Sequence, residues 1–332
     1  MFLLKIPRTS HAKEGMLDKC RDYYRGNKQQ LRNIDEFEHA YEPTKAIQWY
    51  TADMFIYKIV NKSLRTEDID LLYLFRFYII DLCQMLEQEY KVLQEFQNVT
   101  TFTLYRGLKM TSVDIENLNK NVGNLISTNG STTRDINVAY MYADVGAKTN
   151  NEKIPTLFKI NVNIQSQTNI LANIGGISKF SDEAEVLFDL GSTFKINSVN
   201  YDKIERFWAV EMITTDEGEQ ITNEYITNTK SKALGSTTIL TFGQLLANMD
   251  EPRKAQQYGE NLLVNNTEFA VGIHHFLGLV YPLTKDYSKA LDHLVHARNL
   301  FMNAVPPNFE FAAHVIPALI ISTALKSSTN EV

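Results

Sequence analysis

The sequence predicts an α+β fold, mainly antiparallel in its sheets, followed by an all-α helical repeat region. Three observations carry this. From about residue 14 to residue 96 glycines are few and apolar residues recur at three and four. The middle of the chain alternates apolar and polar residues, and the last third repeats itself. These are the signatures of amphipathic helices, half-buried strands and a helical array respectively.

The elements follow in order. In T-K-A-I-Q-W-Y-T-A-D-M-F-I-Y-K, Ile47, Tyr50, Met54 and Tyr57 form one helical stripe. Aromatic residues at this spacing read as core rather than as a cofactor box. A second helix is predicted over 69–93, with Thr66 and Asp68 as candidate caps, because their side chains can accept from the first free N–H groups. The run 101–108 is β-prone, and in 157–164 Phe158, Ile160, Val162 and Ile164 alternate with Lys159, Asn161 and Asn163. The stretches 185–188, 193–199 and 207–213 continue the series, with one clear intervening helix at 134–145. Strands that follow one another so closely favour antiparallel pairing over a βαβ repeat. The polar, acid-rich stretch from Thr214 to Thr238 reads as a linker or an exposed connecting helix. Beyond it, Gly243 and Gly278 are 35 residues apart, as are Ala255 and Ala290. That is close to the period of about 34 of tetratricopeptide repeats, whose small residues let paired helices approach.

Composition narrows the function. With 332 residues, 44% apolar and 22% charged, the chain suits one large domain and a smaller one. A net charge of -6 disfavours nucleic acid or an anionic membrane as the main partner. Cys20 and Cys83 are too few for a disulfide framework and lack ligand spacing. The start M-F-L-L-K-I-P-R is too short in apolar residues for a signal peptide. The run 311–325 is interrupted by His314 and Pro317 and is too short to cross a bilayer. The expectation is a cytoplasmic protein.

No G-x-G-x-x-G follows a strand and no phosphate-binding G-x-x-x-x-G-K-[ST] occurs, so a nucleotide would be held by side chains. Glu183 and Glu185 stand two apart at the entry to a strand, a spacing that puts both carboxylates on one face of extended chain. Arg106 ends a strand in L-Y-R-G-L, where its planar fork can pair bidentately with a phosphate or carboxylate. Ser131-Thr132-Thr133 leads into the helix of R-D-I-N-V-A-Y-M-Y-A. His293 and His296, three apart on a repeat helix, lack a third ligand nearby, and His274 and His275 read as packing or surface residues. No metal is expected.

The order of Arg106 at a strand end, Ser131-Thr132 before a helix and Glu183-Ala184-Glu185 entering a strand resembles the R-S-E class of mono-ADP-ribosyltransferases, in particular the arginine-specific members. The segments A-I-Q-W-Y-T-A-D-M-F-I-Y-K, L-Y-R-G-L, S-T-T-R-D-I-N-V-A-Y-M-Y-A and S-D-E-A-E-V-L-F-D-L-G-S-T-F-K-I carry the likeness across roughly 25–215. The resemblance implies two packed, mainly antiparallel sheets flanking an NAD cleft, with an N-terminal helical lobe. Together with the polar stretch and the 35-residue spacing, it divides the chain into a transferase domain, 1–215, a linker, 216–236, and tetratricopeptide-like repeats, 237–332. It assigns Arg106, with Gly107, to the NAD phosphates. Ser131 would orient Glu185 and the ribose, Glu185 would stabilise the cationic sugar, and Glu183 would take the proton of an acceptor arginine. Phe180, in the loop G-G-I-S-K-F-S-D, would contact the protein acceptor. Similar sequences carry two apolar residues before Ser-Thr, whereas Asn129-Gly130 precede Ser131 here. Leu125-Ile126-Ser127-Thr128 offers an alternative register, so either Ser131 or Ser127 fills the serine role; Ser131 keeps the spacing to the following helix. The repeats would bind a partner protein or peptide. Two other activities fit the same residues: NAD hydrolysis, with water replacing arginine, and a catalytically silent adaptor acting through its repeats.

Overall fold

The computed structural model describes residues 10–52, 54–66, 68–96, 100–127, 130–146, 153–166, 169–177, 184–232, 238–248, 250–265, 269–304 and 309–329. They form two compact units, one within 7–221 and one within 222–332.

The first unit opens with six helices: α1 (Ser10–Tyr23), α2 (Lys28–Ala40), α3 (Ala46–Thr51), α4 (Phe55–Arg65), α5 (Ile69–Leu74) and α6 (Arg76–Phe96). Asp68 caps α5 by accepting from the Leu71 N–H, as its place in the sequence predicts. The helix predicted over 69–93 is broken at Phe75, between α5 and α6. The stripe predicted through Ile47, Tyr50, Met54 and Tyr57 is also interrupted. Helix α3 stops at Thr51, and Met54 is extended, with φ -88° and ψ -177°, before α4 begins. The break resets the helical phase, so Tyr50 is 2% exposed while Tyr57 is 37% exposed. Around Phe37, the rings of Trp49 and Phe55 pack edge-on at centroid distances of 5.0 and 5.7 Å, contacts that add about 0.5–1.5 kcal/mol each beyond the area they bury. The buried Tyr78 hydroxyl donates to the Ala46 carbonyl at 2.8 Å and pins α3 to α6. The Tyr90 hydroxyl bonds the Ile164 and Ser166 carbonyls at 2.7 and 2.9 Å, which ties α6 to the sheet.

Eight strands follow: β1 (Thr101–Thr111), β2 (Leu125–Ser127), β3 (Ser131–Thr133), β4 (Lys153–Asn163), β5 (Leu171–Asn173), β6 (Glu185–Phe188), β7 (Thr193–Asp202) and β8 (Phe207–Thr214). They form one sheet in the order β2-β7-β8-β4-β1-β3-β6-β5. Among the described residues the pairings are antiparallel except that of β4 with β8. The two separate sheets implied by the sequence are therefore joined. Strand β1 pairs with β4 from Thr101 to Thr111 and with β3 through Tyr105 and Thr133. The sheet is curled so that Phe188 of β6 meets Phe194 of β7, with centroids 5.0 Å apart, although the two strands stand far apart in the order. Leu104, Ile160, Val186, Phe188, Phe194 and Ile196 share one core. Burying both arms in that core rewards the natural twist of the strands, which brings the ends of a long sheet face to face.

Among the described residues two helices, not one, interrupt the strands: α7 (Ser112–Lys120) and α8 (Ile136–Ala143). Thr111 and Asp114 form a reciprocal capping box at the start of α7, and Asp135 caps α8 by accepting from the Asn137 N–H. Helix α8 rests directly on β1, since a Cβ at Gly107 would lie 1.7 Å from the Ala139 carbonyl oxygen. Only glycine permits that approach.

The polar stretch after β8 forms helix α9 (Glu217–Lys232). The second unit continues with α10 (Thr238–Asn248), α11 (Pro252–Asn265), α12 (Ala270–Val280), α13 (Tyr287–Met302) and α14 (Phe309–Thr329). A Cβ at Gly243 would lie 2.5 Å from the Phe276 ring, and one at Gly278 would lie 2.5 Å from Leu294. Ala255 and Ala290 are fully buried. The small residues that recur in the sequence thus stand where helices press together. Among the described residues no helix is long and apolar enough to cross a membrane.

Candidate active site

Within the first unit a cleft of about 550 Å³ opens between the helical lobe and the sheet. Arg106, Gly107, Ser131 and Glu185 line it, together with Tyr50, Tyr57, Tyr105, Thr133 and Tyr142. The strand register explains how Tyr105, Ser131, Thr133 and Glu185 come together. Thr133 faces Tyr105 of β1 on one side and Glu185 of β6 on the other. Paired residues on neighbouring strands share a face, so the rung Tyr105–Thr133–Glu185 runs across three strands. Ser131 lies two residues from Thr133 on the same short strand. Val186 and Phe188 enter the core, and alternation turns Glu185, which is half-buried, the other way.

Strand β3 is held by its own hydroxyls. Thr132 Oγ1 donates to the Val186 carbonyl at 2.7 Å, and Thr133 Oγ1 accepts from the Asp135 N–H at 3.0 Å. These bonds fix a three-residue strand that few ladder bonds support, and they join it to the start of α8.

Arg106 stands in the middle of β1 and not at a strand end as expected, because the ladder with β4 continues from Thr101 to Thr111; its side chain lies beside Tyr50 and Tyr57. Burial pushes its guanidinium below the ordinary arginine value, while the two neighbouring phenols favour the charged form. Tyr50 is more enclosed. Burial raises its phenol well above the usual range, and both Arg106 and Glu185 act on it electrostatically; its hydroxyl donates to Asn61 Oδ1 at 3.0 Å. Tyr50 is therefore within reach of the cation and the carboxylate of the cleft. The rings of Tyr50 and Tyr57 meet at 5.2 Å and 69°, so one wall of the cleft is aromatic and next to the arginine.

The Ser127 alternative occupies a different place. It lies on β2, which pairs only with β7 among the described residues, and its hydroxyl donates to the Ser192 carbonyl at 3.2 Å. It is not among the cleft residues. Glu183 and Phe180 fall outside the described residues. Strand β6 begins at Glu185, and Ala184 has φ 44°, in the left-handed region.

Sequence reasoning did not place Tyr57, Tyr105 and Tyr142 in the site, and read Tyr50 as core alone. Tyr50 is in fact buried against the lobe and also lines the cleft. A helical aromatic stripe has the same spacing whether its far edge meets core or cleft; the signal was the interruption between Thr51 and Phe55.

Among the described residues no group of three or more His, Cys, Asp or Glu is arranged to hold a metal ion. The contents of the cleft suit an anionic nucleotide: a cation for phosphates, an aromatic wall for a planar ring and a carboxylate. Its volume is within the usual range of about 300–1,000 Å³ for ligand pockets.

No protein-family model and no curated protein matches the chain. Solved structures do. The Vis toxin, an ADP-ribosyltransferase from Vibrio splendidus, is 20% identical over 64% of this chain and 90% of its own, with a TM-score of 0.37. The ADP-ribosyltransferase HopU1 of Pseudomonas syringae is 18% identical over 64% of this chain and 100% of its own, with a TM-score of 0.41. The Clostridium limosum C3 exoenzyme is 16% identical over 60% of this chain and 94% of its own, with a TM-score of 0.36.

Proposed function

We propose that this protein is a mono-ADP-ribosyltransferase that moves ADP-ribose from NAD to arginine side chains of proteins and releases nicotinamide. The observation that carries the reading is the convergence of Arg106, Ser131 and Glu185, from three separate strands, on one aromatic-walled cleft.

In this reading Arg106 pairs with the NAD phosphates, and its partly desolvated setting strengthens that pairing. Ser131 orients the ribose and Glu185. As the glycosidic carbon–nitrogen bond breaks, its electron pair leaves with nicotinamide and the sugar becomes an oxocarbenium-like cation. A preplaced Glu185 carboxylate stabilises that charge, the kind of term that usually dominates enzymatic rate. The guanidinium nitrogen of the acceptor then forms the new bond to the sugar carbon, and its proton passes to Glu183. An acceptor arginine needs such a base because its own pKa exceeds about 12.

The domain limits accompany the proposal: a transferase domain over 1–215, a connecting segment over 216–236 and tetratricopeptide-like repeats over 237–332 that bind a partner protein or peptide. The buried small residues at the 35-residue spacing support the repeat assignment.

The test is nicotinamide release with and without an arginine-rich acceptor. Glu185→Gln is expected to lower release about 10²–10³-fold, the scale of losing one preplaced electrostatic stabiliser. Glu183→Ala is expected to abolish transfer and spare most hydrolysis. Arginine modification that survives Glu183→Ala overturns the acceptor assignment. Unchanged nicotinamide release in Glu185→Gln overturns the enzyme.

A further inference from the structure

Gly130 immediately precedes Ser131 and has φ 146°, a backbone conformation that residues with a side chain rarely adopt. It also occupies a particular place. A Cβ built there would lie 2.2 Å from one terminal nitrogen of the Arg106 guanidinium, 2.6 Å from the other and 2.5 Å from the carbon between them. The three heavy atoms of the fork head thus pack against a bare Cα. Real Cβ atoms do not stand this close to anything, so a side chain at 130 and the guanidinium in this position exclude each other.

We propose that Gly130 is a positioning residue: its missing side chain is the seat on which the Arg106 guanidinium rests, and it sets where the cleft presents its cation. This rests on the reading of Arg106 as the group that pairs with the NAD phosphates. Bidentate pairing depends on the orientation of the fork as well as its charge, and a displacement of about 1 Å at such a site can cost two orders of magnitude. A Cβ at 130 meets one face of the fork and drives it out of this position.

The structure supplies a control. Gly123 has φ 87°, yet nothing lies within 4 Å of a Cβ built there. Alanine at either position strains the backbone, but only alanine at 130 meets the guanidinium.

The experiment uses the full chain with Gly130→Ala, Gly123→Ala, Arg106→Ala and the Gly130→Ala/Arg106→Ala double variant. NAD affinity is measured by calorimetry, and the Arg106 Nε–H resonance by NMR. Gly130→Ala should weaken NAD about tenfold or more and shift the resonance, while Gly123→Ala changes affinity less than about twofold and leaves the resonance in place. On the Arg106→Ala background, Gly130→Ala should add less than about twofold, because two changes acting through one group are not additive. Equal losses on both backgrounds overturn the proposal, as does an unshifted Arg106 resonance in Gly130→Ala. If the wild type binds no NAD, the NAD reading of the cleft fails, but a resonance that moves in Gly130→Ala alone still supports the seat. If Gly130→Ala does not fold, the double variant decides: recovery of folding identifies the guanidinium as the obstacle, and continued failure assigns the demand to the backbone and overturns the proposal.

Discussion

Ala184 sits between the two glutamates with φ 44°, a region that costs an L-residue with a side chain roughly 1–2 kcal/mol. Glycine there would relieve this but lose more entropy on folding, about 0.5–1 kcal/mol. Ala184→Gly is therefore expected to change stability by less than about 1 kcal/mol, whereas Ala184→Val, β-branched at positive φ, should lower it by about 1–3 kcal/mol. Urea denaturation midpoints check both; a valine variant as stable as the native chain would mean that the backbone at 184 is not left-handed in solution. At this scale the sequence was informative where chemistry interrupts a pattern. Arg106, Ser131 and Glu185 stood out as polar residues at the ends of apolar alternation, and they line one cleft. The positive φ at Ala184 was not legible, because alanine carries no mark of one. The contact of Gly130 with Arg106 spans chain segments that no local pattern relates.

Among the elements, the long alternation of β4 was readable from its residues, while β2 and β3, with three residues each, are too short to establish a period. Helix α7 escaped notice because its capping box uses Asp114 in place of the more usual glutamate. In the second unit, α12 brings His274 against His293 and His296 of α13, a grouping that sequence spacing had not shown. His274 Nδ1 and His293 Nδ1 lie 2.8 Å apart, so one ring donates to the other, and the His274 and His296 rings stand 4.3 Å apart. The ring of Tyr281 stacks on His293 at 5.2 Å, and its hydroxyl donates to Glu260 at 2.6 Å. Burial, then His296 and His293, pushes His274 down to about 4. Burial also lowers His293, although Asp292 and Glu260 oppose it and Lys289 and His296 assist. In the unfolded chain a histidine takes up its proton near pH 6.5. Between that value and about 4 the unfolded state therefore holds more protons than the folded one at His274, and acid favours unfolding. The stability that His274 contributes is fully present above its unfolded value and declines as the pH falls below it. Thermal melting of the full chain should thus fall from pH 7.5 to pH 5, and His274→Gln should flatten the slope. An equal slope in the variant would remove His274 as its source.

For the molecule as a whole, the mainly antiparallel sheet was legible in strands that follow one another with little between them, but the number of sheets was not. Two sheets or one depends on whether β1 and β3 share a rung, and that is a tertiary contact between segments that no periodicity relates. The chain's two compact units follow its change from alternating to helical period only approximately, because the boundary falls inside α9. The rung itself has a further consequence. Among the described residues eleven register pairs hold β1 to β4, whereas one, Tyr105 with Thr133, joins β1 to β3. Opening along a ladder costs more as more bonds must break together, so this seam is the place where the sheet can part locally without general unfolding. Amide protons of Leu104 to Leu108 that bond to β4 should exchange with solvent far more slowly than those of Ser131 to Thr133. Equal protection would mean that the bonds of Thr132 and Thr133 close the seam as firmly as the long ladder does. Because Ser131 and Glu185 lie on the far side of that seam from Arg106, each opening of the rung changes their spacing from the arginine.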